Sequence, residues 1–130
     1  MMKVMEQPKV QVTMSMPALI LRIEGLAVLA SMVALYASRG ESWLAFAALL
    51  FVPDVSMIGY LKDARLGSIT YNIVHTYTLP LALGVLALVG GWALGVQLAL
   101  IWGAHIGMDR MMGFGLKYPT EFKDTHLGRV

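Results

Sequence analysis

Four long apolar runs, separated by short polar breaks, occupy most of this chain: 17–36 (PALILRIEGLAVLASMVALY), 42–60, 68–89 and 92–114. About 20 apolar residues, at ~1.5 Å of helical rise each, cross a hydrocarbon core roughly 30 Å thick. The pattern therefore predicts an all-α polytopic membrane protein, a four-helix antiparallel transmembrane bundle with one span for each run. Pro17 suits a helix start, where its missing N–H has no intrahelical partner to lose. Pro53 and Pro80 fall inside the second and third runs. Each frees a backbone carbonyl and predicts a kink, which a membrane tolerates when a neighbouring helix supplies a donor. A secretory signal peptide is the competing reading of the first run, but Arg22 and Glu24 interrupt it and no convincing small-x-small cleavage site follows.

The connections at 37–41, 61–67 and 90–91 are short enough that consecutive spans must be antiparallel neighbours. Three parts follow: a polar N-terminal segment at 1–16, the transmembrane domain at 17–114, and a polar tail at 115–130. Lys3, Lys9, Arg22, Lys62, Arg65, Arg110, Lys117, Lys123 and Arg129 fall at one side of the bundle, and Arg39 at the other. The bias of basic residues toward the cytoplasm places both termini, and the irregular tail, on the cytoplasmic face of a cell inner membrane. Composition agrees: 58% of residues are hydrophobic and 14% charged, with a mean hydropathy of +0.68, which leaves no room for a separate soluble domain. Cysteine is absent, excluding disulfides, thiolate ligands and a cysteine nucleophile. A net charge of +2 is too small to argue for a nucleic-acid partner, so membrane lipid and further copies of the chain are the expected company.

Five ionisable residues lie within the apolar runs: Glu24, Asp54, His75, His105 and Asp109. An ionised side chain at such depth costs at least ~2.5–3.5 kcal/mol, so something must offset it. With the predicted topology, Glu24, Asp54, His75 and His105 lie roughly 9–14 Å from the same boundary, one on each span, and Asp109 one helical turn nearer to it. His105 and Asp109 are spaced i and i+4, Tyr71 and His75 likewise, and Asn72 and His75 i and i+3, so each set shares a helix face. Gly25, Gly103, Ala104 and Gly107 allow close helix approach at that level. Two imidazoles and three carboxylates are nitrogen and oxygen donors that suit zinc, iron or manganese, and bundle interiors are where such sites are built. A hydrogen-bonded core histidine or a structural i,i+4 pair explains any one of these residues. The coincidence of depth favours a functional layer. The ten methionines read as packing or lipid-facing residues, the three tryptophans and Tyr60, Tyr71 and Tyr77 as packing and interfacial anchors, and Lys62, Asp63 and Arg65 as a solvated turn. Asp124 and His126 in the tail form either a surface pair or a lid over the site.

The stretches LRIEGLAVL at 21–29, PDVSMIGYL at 53–61, LGSITYNIVHTYTLP at 66–80 and WGAHIGMDRMMGFGLKYPTEFKDTHLG at 102–128 resemble a family of small bacterial integral-membrane proteins classified as a domain of unknown function (4260 type). That resemblance implies a four-helix membrane protein and lends no reaction. Pro53, Asp54 and His75 are also similar, more distantly, to inner-membrane metal-dependent hydrolases, in which a Pro-Asp ends one span and a histidine lies in the next. Val55 and Ser56 stand where that group carries a second aspartate, and no His-Arg-Gly turn precedes His75.

The leading expectation is a metal-dependent membrane hydrolase acting on a lipid or other amphiphile near the cytoplasmic leaflet. Asp54, His75, His105 and Asp109 are the expected metal ligands, Asp54 doubling as candidate general base. Glu24 is expected to orient or relay a proton, and Arg22 and Arg110 to hold an anionic head group. The rival readings are a proton or cation relay in a homo-oligomer and a non-catalytic scaffold whose buried polar groups fix helix register.

Overall fold

The structure, a computed structural model, describes residues 14–120 and 122–129, so the polar segment expected at 1–16 lies almost wholly outside the described residues. Among the described residues are six α-helices and one 3-10 helix: α1 Met16–Ser38, α2 Trp43–Leu49, the 3-10 segment Val52–Leu61, α3 Ala64–Val74, α4 Thr78–Val89, α5 Ala93–Met112 and the short α6 His126–Arg129. Three stretches are long and apolar enough to cross a membrane: Met16–Ser38, Trp43–Leu61 and Ala64–Val89. The fourth, α5, is 20 residues long but falls outside that apolar set. Its polar residues are affordable because it is the central helix, with buried positions running from Gly95 to Arg110. The outer stretches instead leave large apolar side chains such as Leu44, Leu61, Leu86 and Val89 exposed, the inverse of a water-soluble fold and the pattern expected where lipid is the solvent.

Both internal prolines do more than kink. At the second stretch, α2 ends at Leu49 because Pro53 has no N–H to return to the Leu49 carbonyl. The chain resumes as a 3-10 helix, with the Asp54 N–H donating to the Phe51 carbonyl at 3.1 Å. Ten residues of 3-10 helix is unusual, since runs beyond 3–4 residues are uncommon. The tighter winding lengthens the segment to ~20 Å, against ~15 Å as α-helix, and is clamped to α3 by the Thr70 hydroxyl, which donates to the Ser56 carbonyl at 2.7 Å. The expected solvated turn before α3 has a structural duty as well: the Asp63 carboxylate caps α3, accepting from the Leu66 N–H at 2.7 Å.

The third span, expected as one kinked helix over 68–89, is instead two helices. α3 stops at Val74, His75 caps it outside helical geometry (φ −106°, ψ 16°), and α4 begins at Thr78 with Pro80 in its first turn. Proline in a first turn is favourable and in a helix interior is not. The carbonyls released by the break find donors on α5: Trp102 Nε1 donates to the Val74 carbonyl at 2.7 Å, and Arg110 Nη2 to the His75 carbonyl at 2.8 Å.

The core away from the break is apolar, with Tyr36, Ala87, Val96, Leu100 and Ile101 packed against Met32, Phe46 and Leu49. On the tail side, α1 and α5 cross backbone to backbone at Gly25 and Gly107. A Cβ built on Gly107 would lie 2.8 Å from the Gly25 oxygen, and one built on Gly25 would lie 2.5 Å from Arg110 Cβ. Gly107→Val is therefore expected to destabilise the bundle by about 1–3 kcal/mol through overpacking. Gly84→Ala, whose new Cβ would stand 3.3 Å from Ala99, serves as a mild control. Thermal unfolding in detergent checks this, and a Gly107→Val protein melting with the wild type would refute the crossing.

Candidate metal centre

Each break delivers one side chain to the same point. Asp54 projects from the first turn of the 3-10 segment, His75 from the cap of α3, and α5 contributes His105 and Asp109 from one face at i and i+4. Their ligand atoms all lie within 4.8 Å of one another. Asp54 Oδ1 is 3.3 Å from His75 Nε2 and 3.1 Å from His105 Nε2. Asp109 Oδ2 is 3.5 Å from His75 Nε2 and 3.2 Å from His105 Nε2. The two imidazole Nε2 atoms face each other at 3.1 Å. Donors set about 2.0–2.1 Å from a tetrahedral ion are separated by roughly 3.3 Å, so the spacing matches an N2O2 shell. This buried group has the composition and geometry to hold a metal ion.

The surroundings fix how the imidazoles present themselves. His75 Nδ1 lies 2.8 Å from the Tyr71 carbonyl, which can only accept. Nδ1 therefore carries the hydrogen and the Nε2 lone pair points into the group. The Tyr71 ring stacks on His75 with centroids 3.7 Å apart, and its hydroxyl reaches Asp109 Oδ2 at 3.5 Å. His105 Nδ1 is buried and makes no hydrogen bond of normal geometry. Phe51 packs edge-on against the same imidazole at 6.4 Å. Both histidine side chains are fully buried and that of Asp109 is 9% exposed, whereas that of Asp54 is 34% exposed. The group is thus closed on three sides and open at Asp54.

Four of the five expected residues converge, and Glu24 does not. Glu24 is exposed on α1 because the α5-facing position belongs to its neighbour Gly25, about 100° around the helix. The two arginines expected to hold a head group are instead bound to backbone. Arg22 Nη2 donates to the Met112 carbonyl at 2.9 Å, and Arg110 donates to Phe114 at 3.0 Å besides His75. Each thereby binds a carbonyl at or beyond the end of a helix.

The described tail has mostly irregular backbone, as its polarity leads one to expect, but part of it is buried against the bundle. Asn72 on α3 grips Lys117 twice, its Nδ2 donating to the Lys117 carbonyl and its Oδ1 accepting from the Lys117 N–H, both at 2.7 Å. The buried Lys117 ammonium donates to the Phe122 carbonyl at 2.7 Å and lies 4.6 Å from the centroid of Tyr71, the ring stacked on His75. Burial pushes that ammonium below the usual lysine range. Asp124 pairs with Arg129 rather than His126, and the Arg129 and Thr120 hydrogen bonds hold its carboxyl down to about 2. His126 instead accepts the Leu116 N–H at Nδ1, at 2.7 Å. Lys117 carried no signal in the sequence, since its placement depends on an amide 45 residues away.

His126 titrates below its ordinary value, chiefly through burial and then through nearby Arg110. A depressed histidine stabilises the docked tail fully above the unfolded value near ~6.5, and that contribution is lost as pH falls below it. Hydrogen exchange at the Leu116 amide, corrected for intrinsic rates, should therefore quicken between pH 7.5 and 5.5. In His126→Ala it should be fast at both. An unchanged wild-type protection factor would contradict the contact.

The chain belongs to the DUF4260 family, described as a domain of unknown function, which matches residues 18–130. Neither a curated protein nor a solved structure matches it.

Proposed function

We propose that this DUF4260 member is a metal-dependent membrane hydrolase acting on a lipid or other amphiphile near the cytoplasmic leaflet of an inner membrane, with both termini cytoplasmic. The observation that carries the reading is the N2O2 group itself: buried, spaced for one ion, and with the His75 lone pair aimed inward by a backbone hydrogen bond. In this reading His75, His105 and Asp109 hold zinc, iron or manganese, the metals that suit such donors. Such an ion, when bound, lowers the pKa of a water toward ~7.

Asp54, at the open side, is the residue placed to take the proton from that water as its oxygen bonds to an acyl or phosphoryl centre; the leaving oxygen departs with a proton. Tyr71 steadies Asp109 from behind, and Arg110 holds the His75 backbone so that the ring cannot follow the chain into a continuous helix. A relay across the membrane is the weaker reading. About 12 Å of helix separate His105 from Gln97, and of the side chains between them on α5 the one with a polar atom, Trp102, donates its N–H to the Val74 carbonyl.

Protein purified without chelators should contain about one metal ion per chain by elemental analysis. His75→Ala and His105→Ala should lose it at least tenfold, whereas Asp54→Asn should retain most of it and lose turnover. Metal-free wild-type protein would end the hydrolase reading. Variants that lose only thermal stability would point to a scaffold.

A further inference from the structure

The centre is roofed on its tail side. Lys117 is buried above Tyr71, Asn72 clamps it from α3, Lys117 and Thr125 pair as an antiparallel bridge, and His126 closes on Leu116. A substrate dissolved in water meets this clasp before it meets the imidazoles.

The membrane side is different. A groove of about 490 Å³ runs between the α2 and 3-10 stretch on one wall and α4 and α5 on the other, bounded by Pro53, Val55, Val74, Leu98, Ile101 and Trp102. Val52 and Val55 on the rim are exposed, so the groove opens sideways, where the hydrocarbon lies. Its walls lead to the centre from three elements at once. Pro53 and Val55 flank Asp54, Val74 precedes His75, and on α5 His105 follows Ile101 at i+4 and Trp102 at i+3, continuing the same face. A second groove, of about 310 Å³ between α1, α4 and α5, is bounded by Met32, Leu81 and Leu88 and has no chain neighbour of Asp54 or His75 in its wall.

We propose that the larger groove is the binding site for one hydrocarbon chain of a membrane amphiphile, which enters sideways from the lipid and lies along α5 with its polar end at Asp54 and His105. The inference rests on the hydrolase reading and deepens it by naming the substrate class: long-chain amphiphiles, with water-soluble esters and phosphates excluded by the clasp. Because the chain passes from one apolar medium to another, the groove contributes alignment rather than affinity. Alignment is the larger need of a reaction whose centre is fixed in the protein.

The test is photolabelling of the full-length protein in nanodiscs with a fatty acid carrying a mid-chain diazirine, with sites mapped by mass spectrometry and metal measured on the same samples. Labels should concentrate on Leu98, Trp102 and Leu83, saturate with dose, and compete with unlabelled fatty acid. Leu98→Phe, or independently Leu83→Phe, which lines the same wall from α4, should cut them at least fivefold while leaving metal content unchanged. Labels spread evenly over exposed residues such as Leu44, Leu86 and Val89, or gathered at Leu81 and Leu88 in the second groove, would overturn the proposal. Groove labelling of a metal-free protein would uphold the chain site and overturn the hydrolase reading; a metal-loaded protein without groove labelling would do the reverse.

Discussion

Everything in this bundle turns on the cost of a backbone carbonyl left without a donor in an apolar interior. The helix breaks beside Pro53 and Pro80 leave such carbonyls, and the neighbouring elements are arranged to satisfy them. Trp102 and Arg110 donate to the carbonyls of Val74 and His75, and the 3-10 segment replaces the bonds that Pro53 forbids at the end of α2. Once the carbonyls are satisfied, the breaks become fixed features, and fixed breaks aim side chains. His75 sits where α3 stops, and Asp54 sits where the 3-10 segment starts, so both escape the regular azimuth of a continuous helix and meet α5.

That dependence explains why the central helix is also the least apolar of the long ones. α5 carries Trp102, His105, Asp109 and Arg110 over little more than two turns. Two of these close the backbone of the α3–α4 break and two complete the polar group. A helix with this many polar residues would be costly facing lipid, and its burial by α1 and α4 is made possible by small residues, above all Gly25 and Gly107 at the α1 crossing. Structural and chemical duties are thus interleaved on one helix, residue by residue.

Depth along each span was legible in the sequence, because apolar run lengths and helical rise are enough to place Asp54, His75, His105 and Asp109 in one layer. Direction around each helix was only partly legible. The i,i+4 spacing aligned His105 with Asp109, and Gly25 read as a point of close helix approach, but that the same packing turns its neighbour Glu24 away from α5 did not show in the sequence. The prolines announced irregularity at the right places without revealing its form: the kink expected in the third span is a full break at His75, whose carbonyl accepts from Arg110, 35 residues away. The tail was the least legible part. Its polarity read as a surface segment, whereas a paired amide contact from Asn72 folds it back over the centre and buries Lys117. Such long-range pairings leave no local pattern.

Two broken helices and one unbroken one bring two imidazoles and two aspartates to one point, and X-ray absorption at the zinc edge of zinc-loaded protein reads whether they hold a single ion. Nitrogen and oxygen scatterers are expected at about 2.0–2.1 Å with the outer-shell signature of two imidazole rings, falling to one in His105→Ala. An all-oxygen hydrated shell with no imidazole scattering would contradict that expectation.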